Sequence, residues 1–143
     1  MYVIRVDHNR TLLKVECSGH ITTAEAVRAI SQAFALAEAG NIWAMAVDVT
    51  AVTIGPDEID VVGAALAASH RLGTRIAFVT GTGTRTIVDR LRRLSGVPDA
   101  AGAFESDAGA RAWLETALRS GPRRPLEDGA PAAARATRRS SAA

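Results

Sequence analysis

The pattern of hydrophobic and polar positions along the first eighteen residues predicts two strands. Residues 2–7 and 11–18 are rich in β-forming side chains, and residues 8–10 form a short turn segment between them, which is typical of a hairpin. The second run alternates apolar with charged side chains, so we expect one face of its strand to contact water. The chain is therefore expected to open with an antiparallel pair of strands.

The next hundred residues alternate helical periodicity with short apolar runs. Four helices are predicted from apolar side chains at helical spacing, beginning near Thr22, Pro56, Thr84 and Ser106. Three apolar runs of strand length lie between them, at residues 43–49, 75–80 and 102–105. This order predicts an α/β fold with a mixed, mostly parallel five-stranded sheet and about four helices.

The starts of the first two helices carry recognisable signals. Thr22 followed by Glu25 forms a capping box, in which each residue satisfies a backbone amide of the other. Pro56 occupies the position of a first helical residue, with Asp57 and Glu58 beside the positive end of the helix dipole.

The third helix is predicted to bury the apolar side chains of Ile87, Val88, Leu91 and Leu94.

Charge is distributed unevenly between the predicted domain and the C-terminal segment. Residues 1–120 have the composition of one α/β domain, whereas residues 121–143 are rich in Arg, Ala and Pro and predict a flexible basic tail. The tail carries five arginines against two acidic residues, which leaves 12 basic and 13 acidic side chains in the rest. The folded domain is therefore not expected to bind nucleic acid.

Several functional classes find no support in the sequence. Cys17 is the single cysteine, which fits a reducing compartment, and no apolar run approaches the roughly 20 residues that cross a bilayer. His8, His20 and His70 are isolated and form no metal motif. No nucleophile motif is present either. We expect a cytoplasmic protein that is not an enzyme and holds no metal or cofactor.

A glycine-rich turn is the first candidate for a binding site. The segment TGTGTRT at residues 80–86 leads from a predicted strand into a predicted helix. Its amides, hydroxyls and arginine could hold an anion, and the candidate residues are Gly81, Thr82, Gly83, Thr84 and Arg85. The segment matches no phosphate-binding motif, however, and glycines also serve tight turns for backbone reasons alone. Both interpretations remain open.

The second candidate is the segment at residues 48–58, which joins a central strand to a helix whose first turn carries two carboxylates. Acidic residues at a helix start have an ordinary structural explanation, since they favour the helix dipole. A functional explanation requires a further pattern, and the sequence supplies one.

The element order and two short motifs resemble the STAS superfamily, the domain shared by sulphate transporters and anti-sigma factor antagonists. The resemblance spans residues 2–119. Asp48-Val49-Thr50 is similar to the Asp-x-Ser that ends a strand in family members, which then have Asp-Ser-Ser or Asp-Ser-Gly at the helix start. Phe104 and the segment Ala110-Arg111-Ala112-Trp113-Leu114 resemble the closing "F … A-x-x-W-L" of a stand-alone, sporulation antagonist-like branch without an assigned biochemical role.

This resemblance implies a regulatory domain that binds a protein partner. In the antagonists a serine at the helix start is phosphorylated; counted from Asp48 without a gap, its position falls on Asp57, and Thr53 is the nearest hydroxyl. Asp57 would then supply permanent negative charge. The expected partner-binding residues are Thr50, Thr53, Asp57 and Glu58. The alternative is a small-molecule domain for an anion, nucleotide or lipid at the same helix starts, and the sequence leaves homodimerisation open.

Overall fold

The computed structural model describes residues 1–7, 9, 11–96 and 100–119. Its strands are β1 (Tyr2–Val6), β2 (Leu13–His20), β3 (Ala44–Thr53), β4 (Arg75–Val79) and β5 (Ala101–Phe104). Its helices are α1 (Thr23–Ala39), α2 (Pro56–Ser69), α3 (Arg85–Leu94) and α4 (Asp107–Arg119). The predicted basic tail at residues 121–143 lies outside the described residues.

The strands form one sheet in the order β1-β2-β3-β4-β5. β1 is antiparallel to β2, as expected for the predicted hairpin, and every other neighbouring pair is parallel. Each parallel pair is joined through a helix, as parallel neighbours require, whereas the antiparallel pair is joined by a short connection. A single antiparallel edge strand on an otherwise parallel sheet is a common arrangement. The predicted mixed, mostly parallel five-stranded sheet is confirmed.

Helices cover the two faces of the sheet unequally. The larger core lies between the sheet and helices α1, α2 and α3, with Leu13, Met45 and Ile76 among its most buried side chains. α4 alone covers the opposite face, where Leu114 packs against small residues of β3 and β4. Strand β4 and the first residues of β3 are therefore buried on both faces, which explains their continuous apolar sequences.

The structure confirms the predicted helix starts. The Oγ1 atom of Thr22 accepts a hydrogen bond from the amide of Glu25 at 3.1 Å. α2 begins at Pro56, with Gly55 as a cap residue that contributes no side-chain hydrogen bond. Pro56 fits this position because a first helical residue has no use for its amide hydrogen.

Two details differ from the sequence-based expectation. β3 continues four residues beyond Val49 and ends at Thr53, because β2 extends to His20 and pairs with it after an irregularity in register between Glu16 and Ser18. Leu94 was predicted to be buried, yet 41% of its side chain is exposed. It lies at the last position of α3, where its Cβ atom packs over Gly63 of α2 and the residue stays partly exposed.

Candidate functional site

The two candidate segments are adjacent in the structure. A Cβ atom placed on Gly81 would lie 3.2 Å from the carbonyl oxygen of Thr50, so the turn after β4 runs directly against the end of β3. α2 and α3 also pack side by side, and Arg90 of α3 contacts Asp60 of α2 at 2.7 Å. The name contact edge is used below for Thr50, Thr53, Asp57 and Glu58.

Asp48 organises the strand end of the contact edge. Its Oδ1 atom accepts hydrogen bonds from the amide of Thr50 at 3.0 Å and from the Thr50 hydroxyl at 2.7 Å. This local arrangement competes with regular strand pairing and fixes the Thr50 side chain. Thr53 is exposed at the last position of β3, and its carbonyl oxygen accepts the amide of Ile21 at 3.0 Å.

The two carboxylates at the start of α2 have different surroundings. Asp57 is exposed and forms no ion pair or hydrogen bond through its side chain within the described part of the chain. The Oε2 atom of Glu58 is buried, and none of the described residues donates a hydrogen bond to it. Burying a carboxylate oxygen without a donor costs free energy.

Several hydrogen-bond donors of the glycine-rich turn already have partners within the protein. The amide of Gly81 donates to the hydroxyl oxygen of Thr84 at 2.9 Å, and the amide of Thr80 donates to the carbonyl oxygen of Phe104 at 2.8 Å. Arg85 forms an ion pair with Asp89 one turn along α3, at 3.6 Å. The exposed remainder of this candidate set is Thr82 and Gly83. The donors available to an anion are thus fewer than the sequence suggests.

Cys17 lies on the face of β2 that contacts the larger core. Burial raises the pKa of its thiol from 9.0 to about 11, with smaller contributions from Asp48 and Glu25, while the N-terminal ammonium group acts in the opposite direction. The thiol is therefore protonated at neutral pH, and a protonated thiol is a poor nucleophile.

Within residues 1–7, 9, 11–96 and 100–119, no three side chains of the His, Cys, Asp or Glu type are grouped as metal ligands would be. Over the same residues, none of the helices has the length and apolar character needed to cross a bilayer.

The sequence analysis missed the role of one residue of this site and an ion pair at the start of α1. In the sequence, Asp48 was recognised only as part of a motif, although the Asp48 side chain holds Thr50 in place. The hydrogen bond from an amide two residues along the chain is a known tendency of Asp, and this tendency was the available signal. The N-terminal ammonium group was also missed, and it contacts the Glu25 carboxylate at 3.1 Å. This contact contributes most to the lowered pKa of Glu25, and no local pattern in the sequence indicates it.

Comparison with known proteins gives a match at the level of structure. No protein-family model matches the chain, and no curated protein matches its sequence. A solved structure, the crystal structure of an anti-sigma factor antagonist from Mycobacterium paratuberculosis, aligns with a TM-score of 0.55 over 80% of this chain and 95% of that chain, at 20% identity. The chain has the fold of an anti-sigma factor antagonist.

The STAS-like resemblance seen in the sequence is thereby confirmed for the fold. The alignment covers 80% of a chain that consists of an opening hairpin, parallel strands joined through helices, and a closing helix that carries Trp113 and Leu114. Phe104 and Trp113, the aromatic residues of the closing motif, pack together with ring centroids 5.5 Å apart. The residues Phe104, Ala110, Trp113 and Leu114 of this motif therefore belong to or pack against the smaller core, whereas Arg111 and Ala112 are exposed.

Proposed function

We propose that the chain is a regulatory domain that binds a protein partner through the contact edge, without catalysing a reaction. The turn at residues 81–84 lies beside this edge and would border the interface. The observation that carries the proposal is Asp57, an exposed carboxylate at the first turn of α2 that pairs with no other group of the described chain. An unpaired charge at the rim of two adjacent helix starts is well suited to recognise a cationic group of a partner.

Counted from Asp48 without a gap, Asp57 falls at the position at which the antagonists carry their phosphorylated serine. A carboxylate carries one negative charge, whereas phosphoserine carries up to about two. Asp57 would therefore imitate the phosphorylated form partially and permanently. On this basis the domain would keep one binding state without needing a kinase, and Thr53 would be the alternative acceptor if phosphorylation does occur.

Glu58 supplies a second reason for a partner at this edge. Its buried Oε2 atom has no hydrogen-bond donor among the described residues. A rotation of the Glu58 side chain that exposes this atom would allow an amide or a guanidinium group of a partner to satisfy it on binding. The anion-binding alternative has less support, since the Gly81 amide and the Arg85 side chain already have partners within the turn and α3.

The proposal is tested by comparing binding with and without the Asp57 charge. Wild-type protein, Asp57→Arg and a control, Glu115→Arg, would each be immobilised and exposed to an extract of the cells that produce the protein. Glu115 is an exposed carboxylate of α4, on the opposite face of the sheet, so its variant makes the same change of charge away from the contact edge. Proteins retained by wild type and Glu115→Arg but lost from Asp57→Arg are the specific partners.

A purified partner then allows a quantitative test with Asp57→Ser. We expect its dissociation constant to change by at least about fivefold, which corresponds to about 1 kcal/mol of binding free energy. The free energy of unfolding should fall by no more than about 1 kcal/mol, the contribution of one charge at a helix end. Unchanged affinity would refute the proposed role of Asp57, and a loss of stability without a change of affinity would favour simple helix capping.

A further inference from the structure

An apolar cavity of about 120 Å³ lies within the larger core, between the sheet and helices α1, α2 and α3. Its surface is entirely apolar, although a few of the residues around it have polar ends that point elsewhere. At its inner end it reaches Met45 and Ile76, which are almost completely buried. The cavity is thus distinct from the residues of the contact edge.

Small side chains on α1 create this space. Ala26, Ala29 and Ala33 follow one another along the side of α1 that faces the sheet, and all three line the cavity. Cys17 and Val15 of β2 lie among the strand residues that line it. Protein cores are normally packed as densely as organic crystals, so a space of this size is an exception that requires an explanation.

The cavity opens toward the end of the sheet at which the parallel strands finish. The residues that line it there are partly exposed, in contrast to those of the inner end, and they include Val49, Val52, Ile54 and Ile87. Ile54 immediately precedes the cap of α2, and Ile87 lies in the first turn of α3. A molecule could therefore enter between the starts of these two helices without unfolding the core.

The chemistry of the lining defines what can occupy the cavity. A water molecule inside a protein needs two to four polar partners, and this surface offers none. An engineered cavity of about 150 Å³ with a comparable aliphatic and aromatic lining binds benzene or xenon. From its volume, lining and opening we propose that this cavity is a binding site for a small uncharged apolar molecule of about the size of benzene.

Cys17 provides a direct reporter, because it is the single cysteine of the chain and lines the cavity. The rate at which a maleimide modifies the thiol would be measured with and without benzene. With benzene at about ten times its dissociation constant, occupancy predicts that modification slows by about tenfold. Octanoate serves as the second probe, since it combines an alkyl chain with a charged group. Protection by benzene, with or without protection by octanoate, supports the proposal, whereas protection by octanoate alone or by neither overturns it.

Variants of α1 separate occupancy of the cavity from a general effect of the solvent. Ala29→Leu places extra volume in the cavity and should abolish the protection by benzene. Ala35→Leu adds the same volume on the exposed side of the same helix and should leave the protection intact. If Ala29→Leu fails to fold, the ¹²⁹Xe chemical shift with wild-type protein decides: a shift that saturates with protein concentration and is removed by benzene supports the site, and its absence refutes it.

Discussion

His70 is a half-buried titratable side chain with well-defined neighbours. Its Nε2 atom lies 3.1 Å from the carbonyl oxygen of Thr74, and because a carbonyl oxygen can only accept, Nε2 must carry the proton. The ring also stands edge-on to Phe34, with centroids 6.1 Å apart. Burial lowers the pKa of His70 from 6.5, with the Thr74 hydrogen bond acting in the opposite direction.

The lowered pKa predicts a loss of stability on mild acidification. As the pH falls below 6.5, the unfolded chain binds a proton at His70 before the folded chain does, so the free energy of unfolding decreases. Urea denaturation at about pH 7.5 and about pH 5.5 should show this decrease for wild type and a smaller one for His70→Gln, whose amide can still donate to Thr74. Equal decreases in the two proteins would contradict the assignment. The lowered pKa values of Glu25 and Asp107 take effect below their ordinary values of 4.5 and 3.8, outside this range.

At the residue scale, the sequence predicted the roles of residues at helix starts better than it predicted which atoms are buried. It placed Thr22 as a cap and Pro56 as a first helical residue, since both signals depend on side chains a few positions apart. It could not predict that the Glu58 Oε2 atom would be buried without a donor, because that depends on how tightly the first turn of α2 packs. Local patterns determine local hydrogen bonds, whereas burial is decided by the whole fold.

At the scale of elements, the contact between α2 and α3 depends on one glycine. A Cβ atom on Gly63 would lie 2.7 Å from the Cβ atom of Leu94, closer than two such atoms can approach. The absence of a side chain at Gly63 therefore allows the end of α3 to pack against the middle of α2. The same two helices carry the starts that border the contact edge, so their spacing affects the candidate site.

This contact predicts the sign of a substitution. Replacing a helical glycine by alanine normally stabilises a protein by about 0.4–1 kcal/mol, because the unfolded chain loses freedom. Gly63→Ala should instead destabilise by about 1–3 kcal/mol, as overpacked cores do, since backbone or helix axes must shift. Gly83→Ala is the control, because a Cβ atom there meets no atom within 4 Å. Chemical denaturation would measure both, and a neutral or stabilising Gly63→Ala would contradict the packing.

The elements themselves were largely predictable, and their lengths were not. Alternation and helical spacing correctly indicated every strand and helix from β1 to α4. The extension of β3 to Thr53 could not be predicted, because it depends on pairing with the end of β2 after an irregularity in register. The partial exposure of Leu94 was not predicted either. Helical spacing identifies the apolar face of a helix, but it does not show how completely neighbouring elements bury each residue of that face.

At the scale of the whole molecule, the distribution of helices leaves distinct surfaces. α4 covers β3, β4 and β5 on one face, while the adjoining part of that face carries an ion-paired group that includes Arg5, Lys14 and Glu16. The contact edge lies toward the carboxyl ends of the parallel strands, the end of an open α/β sheet at which ligands bind. The glycine-rich turn lies beside this edge, since a Cβ atom on Gly81 would lie 3.2 Å from the carbonyl oxygen of Thr50.

The identity of the partner lies beyond what the fold can specify. One fold supports many functions, and binding specificity depends on particular exposed side chains and on the surface that meets them. The structure shows the side chains that this chain contributes: an unpaired Asp57, an unsatisfied Glu58 oxygen and a neighbouring glycine-rich turn. The complementary surface belongs to the partner.

Hydrogen exchange of the protein alone and in complex with the partner recovered by capture would test the contact edge most directly. If the partner binds at this edge, amides at residues 50–58 and 81–85 should exchange at least about tenfold more slowly in the complex. Amides of α4, on the opposite face, should be unchanged and serve as the internal control. Slower exchange confined to α4, with residues 50–58 and 81–85 unaffected, would contradict the proposed interface.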